Sequence, residues 1–111
     1  MSNAEVHQPT DVTGNLRQMI AVLEAERQAL ASLDTDALTC TTREKEALCN
    51  ALSPASPREL NEEARTLAET ARQLNEVNRR VRNLLAANVA ARLDALGAPR
   101  ATYAPIQYVS A

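Results

Sequence analysis

The stretch from Ser56 to Gly97, S-P-R-E-L-N-E-E-A-R-T-L-A-E-T-A-R-Q-L-N-E-V-N-R-R-V-R-N-L-L-A-A-N-V-A-A-R-L-D-A-L-G, limits what this chain can fold into more than any other. Between Pro57 and Gly97 it contains neither glycine nor proline. Ser56 stands where an N-cap belongs, Pro57 takes the first helical position, and Glu59 follows three residues after the cap, which is the pattern of a capping box. At the other end Gly97 suits the left-handed residue that closes a helix, and Pro99 blocks continuation. The reading predicts one long helix over 57–96. At 1.5 Å per residue, about 40 residues span roughly 60 Å, more than a small globular core can cover. The expected fold class is therefore all-α: an elongated antiparallel hairpin or bundle of two to three long helices.

Upstream, Leu16, Met19, Ile20, Leu23, Leu30 and Leu33 recur at threes, fours and sevens, which predicts an amphipathic helix beginning at Thr10, Asp11 or Thr13. Glu24, Glu26, Arg27 and Gln28 fall on its solvent side in this reading. The heptad stripe Leu16, Leu23, Leu30, Ala37 then meets Glu44, so its phase changes before Leu48 and Leu52. Asp34, Thr35 and Asp36 are all good N-caps, and Thr41 with Glu44 forms a second capping-box pattern. A break or sharp kink is expected within 34–42. S-P-A-S-P, Ser53 to Pro57, is a turn. The expected organisation is a disordered leader over 1–10, one helical bundle domain over 11–97 and a flexible tail over 98–111. Within the domain, a helical region at 11–53 is joined by the turn at 53–57 to the long helix.

In that helix Leu60, Ala64, Leu67, Ala71, Leu74, Asn78, Val81, Leu85 and Asn88 alternate at fours and threes, the spacing of a packed seam. A buried Asn78 would fix its register at some cost in stability. Beyond Val81 the apolar surface widens to include Leu84, Val89, Leu93 and Leu96, with alanines between them and Arg79, Arg80, Arg82 and Arg92 at the rim. This is more apolar surface than one seam needs, and it suits recognition of another helix. The tail A-P-R-A-T-Y-A-P-I-Q-Y-V-S-A carries Tyr103, Ile106, Tyr108 and Val109, which suits a short docking segment.

Catalysis finds little to work with. The only histidine, His7, lies in the leader, and two glycines cannot build a phosphate loop. Cys40 and Cys49, nine residues apart, fall on opposite faces of one helix and cannot bridge each other. No Cys/His cluster has metal-ligand spacing, so neither enzyme activity nor a metal or other cofactor is expected. A formal charge of −2 over 111 residues argues against general nucleic-acid binding. No window approaches a membrane span, and the first ten residues lack the basic and apolar regions of a secretory signal, so a cytoplasmic protein is expected. With no Trp or Phe and an alanine-rich core, the monomer should be modestly stable, which leaves room for a homodimer or a partner-stabilised form.

The order of these features resembles a known family. L-R-Q-M-I-A-V-L-E-A-E-R-Q-A-L is followed by L-D-T-D-A-L and R-E-K-E-A-L-C-N-A-L. After the proline turn comes L-N-E-V-N-R-R-V-R-N-L-L, and then a helix that ends just before a Tyr-Ala-Pro tail. Over Leu16 to about Tyr108 this resembles the FlgN-type flagellar export chaperones, small helical cytoplasmic proteins of the flagellar type III secretion system. The resemblance implies binding of the hook–filament junction proteins before export, prevention of their early assembly and delivery to the export gate, with the export ATPase as a further partner. It maps client binding onto Val81, Leu85, Val89, Leu93 and Leu96, and gate docking onto Tyr103. The family often follows that tyrosine with glycines, where this chain has Ala104 and Pro105. Two alternatives share the helical pattern: a structural homodimeric coiled coil, and a related export chaperone for the filament cap protein.

Overall fold

The computed structural model describes residues 12–97; the expected leader and the tail with Tyr103 lie outside the described residues. The protein is all-α. Helix α1 (Val12–Ser32) is followed by α2 (Thr35–Leu52), a 3-10 turn (Pro57–Glu59) and α3 (Glu62–Ala95). The chain divides into two compact units, one ending at Asn75 and the other beginning at Glu76, so the boundary falls inside α3.

The first unit is a three-helix arrangement. Met19 and Leu23 of α1 pack with Ala71 of α3, and Ile20, Leu48, Leu52 and Leu74 close around them. Leu16, Val22, Ala29 and Leu30 complete the buried face of α1, as expected for a 3.6-residue period. The core is built from Leu, Met, Val and Ala, so each residue contributes modest apolar area, on the order of 25 cal/mol per Å². Arg17 on α1 pairs with Glu63 near the start of α3, and Lys45 on α2 reaches both Glu26 of α1 and Asn75 of α3. These pairings run α2 antiparallel to α1 and the first part of α3 parallel to it.

The break expected within 34–42 lies at its front edge. Helix α1 ends in a Schellman motif: Leu33 donates its N–H to the Leu30 carbonyl (3.3 Å), and Asp34 donates to the Ala29 carbonyl (2.9 Å). The residue in the left-handed conformation is Leu33, with φ 56°. Asp34 then caps α2, its carboxylate accepting from the Ala37 N–H at 3.1 Å. Leu33, read from sequence as the end of the apolar stripe, is instead 67% exposed. The second capping-box pattern is not used: Thr41 lies inside α2, and its hydroxyl donates to the Leu38 carbonyl.

The long helix starts later than position 57. The capping box at Ser56 forms, with Arg58 N–H donating to Ser56 Oγ (3.3 Å) and Ser56 N–H to the Glu59 carboxylate (3.4 Å). It caps only the 3-10 turn, because Leu60 is extended (ψ 132°). Asn61 then offers a shorter bond, its Oδ1 accepting from Ala64 N–H at 2.8 Å, and Glu62 and Glu63 follow it where the helix dipole favours carboxylates. The far end falls as the glycine indicated, with Gly97 at φ 87° and its N–H donating to Asp94 O.

Candidate partner-binding face

On α3 the apolar positions behave differently on the two sides of Asn75. Ala64 and Ala71 are buried, and Leu67 and Leu74 are half-buried. Among the described residues, five large apolar side chains are exposed: Leu33 and four on the second part of α3 and its end, Val77, Leu84, Val89 and Leu96. Burial is what normally stabilises such side chains, so the four mark this segment as the surface with an apolar face left over.

The sequence-derived client residues divide across that surface. Val89 (52% exposed) and Leu96 (82% exposed) are open, whereas Val81, Leu85 and Leu93 are half-buried. Val77 (42% exposed) and Leu84 (69% exposed) are open as well. They lie seven residues apart, hence on one stripe, and that stripe is rotated away from the one through Leu85, Val89 and Leu96. Val77 was missed because it breaks the four-three seam spacing; the signal that could have found it is its seven-residue interval from Leu84. Asn78 is fully buried, whereas Asn88, placed by spacing in the same seam, is exposed.

The charge at the start of this segment is organised around one carboxylate. Arg79 grips Glu76 as a fork, with Nε donating to Oε1 (3.2 Å) and Nη2 to Oε2 (2.7 Å). Arg80 adds a bond from its Nε to Oε2 (3.2 Å). The Arg79 hydrogen bonds, with the charges of both arginines and the Arg80 bond adding to them against partial desolvation, lower the Glu76 carboxyl from 4.5 to about 2. The same fork raises Arg79 above its ordinary value.

A second polar cluster joins the three helices of the first unit. Glu26, expected on the solvent side of α1, is only 2% exposed. Its two carboxylate oxygens accept from Lys45 Nζ at 3.3 and 3.4 Å, and the same ammonium donates to Asn75 Oδ1 at 2.9 Å. A buried carboxylate is tolerable only with such a partner, which is why the expected solvent position does not hold. Cys40 and Cys49 are exposed free thiols on α2. Among the described residues there is no group of three or more metal-ligating side chains and no helix long and apolar enough to cross a membrane.

No protein-family model, curated protein or solved structure matches this chain.

Proposed function

We propose that the protein is a helical export chaperone of the FlgN type, which holds an exported helical client against the part of α3 that follows Asn75. The observation that carries this reading is the concentration of exposed Val77, Leu84, Val89 and Leu96 on that segment, whereas the first unit has a core of its own. A chaperone for association-prone helices needs an apolar helix face that it does not itself cover, and it needs no catalytic group. In this reading the clients are the hook–filament junction proteins, Val81, Leu85, Val89, Leu93 and Leu96 contact them, and Tyr103 serves the export gate. The protein would work in the cytoplasm.

The test is hydrogen exchange with and without a purified junction protein. Protection at Leu85–Leu96 should rise on complex formation, because an amide there opens less often once its side chains are covered. Unchanged exchange with a junction protein present would sink the reading. Sedimentation separates the structural coiled coil: a homodimer insensitive to Leu93→Asp, with no client bound, would favour that alternative. Binding of the cap protein in place of a junction protein would reassign the client and keep the mechanism.

A further inference from the structure

Val77 and Leu84 stand three and four residues to either side of Arg80, so the three side chains share one face of α3. Arg80 is 71% exposed, and among the described residues it gives only its Nε to Glu76. That carboxylate is already held in the Arg79 fork, so one anion serves two guanidiniums. The imbalance extends along the segment. Between Glu76 and Gly97, Arg79, Arg80, Arg82 and Arg92 stand against Glu76 and Asp94 alone, although the whole chain is formally −2. The segment that carries the exposed apolar side chains thus has four arginines against two carboxylates on an anionic protein, and Arg80 is the one that stands between Val77 and Leu84.

We propose that the segment docking on this face is an amphipathic helix with carboxylates beside its apolar stripe, one of which takes the terminal Nη groups of Arg80 while its apolar side chains cover Val77 and Leu84. This rests on the client-binding reading above and specifies the client's chemistry. A guanidinium flanked one turn away on both sides by aliphatic groups presents a fork to a carboxylate and excludes water around it, the arrangement in which charge pairing sets partner choice. A helical protein partner fits better than a lipid surface. The segment has no Lys, Trp or Phe, the residues that seat interfacial helices, and it carries two carboxylates of its own. Ala87 and Ala91, exposed on the same side beyond Leu84, let a second helix approach closely.

The test uses the full chain and two synthetic peptides: a Leu/Ala amphipathic helix with Glu beside its apolar stripe, and the same peptide with Lys in place of Glu. Binding is read by fluorescence anisotropy. The Glu peptide should bind about fivefold more tightly, with the gap closing as salt rises to about 0.5 M. Arg80→Gln should remove the preference and Arg80→Glu invert it, both with unchanged helix content. Equal affinity of the parent protein for the two peptides, or a preference that survives Arg80→Glu, overturns the carboxylate pairing and leaves the client-binding reading standing. If neither peptide binds and a junction protein also leaves exchange at Leu85–Leu96 unchanged, both readings fall. Capture of phosphatidylserine vesicles with no peptide binding would make this a lipid face and overturn the proposal.

Discussion

Replacing Lys45 by Met tests the packing of the first unit at its most demanding point. The substitution keeps the length and most of the volume of the side chain but removes the ammonium that serves Glu26 and Asn75. Glu26, 2% exposed, would then be a buried carboxylate that has lost the Lys45 ammonium. Breaking a buried pair from one side costs about 3–5 kcal/mol. Two features place this pair lower. The Lys45 side chain is 21% exposed, and its contacts to Glu26 of 3.3 and 3.4 Å exceed the optimum for a charged pair. A loss of about 2–3 kcal/mol is therefore expected. For a domain of this size, each kcal/mol moves the melting midpoint by about 4–8 °C, so the midpoint should fall by roughly 10–20 °C. Thermal melts followed by circular dichroism, with urea titrations to obtain the free energy, measure it. The double variant Glu26→Leu with Lys45→Met should recover to within about 1 kcal/mol of the parent or exceed it, because apolar replacement of both partners removes the desolvation cost. A Lys45→Met midpoint within about 3 °C of the parent would refute the reasoning, as would a double variant no more stable than the single one.

Two further outcomes follow from the local geometry. Leu33→Gly should stabilise the protein by up to about 1 kcal/mol in urea titrations, since the left-handed conformation strains leucine and the side chain, 67% exposed, gives up little burial; a clear loss of stability would contradict this. Acid should loosen the start of the second unit. The folded Glu76 value lies below its ordinary one, so the stabilisation from its ion pairs is fully present above pH 4.5 and is lost as pH falls to about 2. Protection factors of the amides around Glu76–Arg80, which divide out the intrinsic pH dependence of exchange, should fall across that window in the parent and stay level in Glu76→Gln.

Both ends of α3 and the turn after α1 show how far residue chemistry alone carries. Gly97 announced a left-handed helix end and occupies one. The same Schellman geometry closes α1 at Leu33, where nothing in the residue type marks it, because tertiary packing of α2 back onto α1 accepts the strain. Ser56 and Glu59 formed their capping box as written, but the competing cap at Asn61 gave α3 its start. Local signals could name both caps; they could not rank them.

The candidate face was legible in part. The widening of apolar positions after Val81 pointed to a segment that carries exposed apolar side chains, Val89 and Leu96 among them. Which stripe remains exposed was not legible, since periodicity tells which residues share a face but not which face meets a neighbour. Val77 and Leu84 were settled that way.

The sequence by itself determined the helical class, the amphipathic face of α1, the proline turn and the glycine end of α3, because each follows from backbone preferences and spacing within a few residues. Only the tertiary structure decided why the apolar stripe loses phase in α2. The positions that face inward there include Thr41, which is buried, and Lys45. Lys45 is tolerated because Glu26 on α1 and Asn75 on α3 come within its reach. A charge can turn inward when its counter-charge does, and that partner lies nineteen residues away in the chain. Residues so far apart are matched by the fold and by no local pattern.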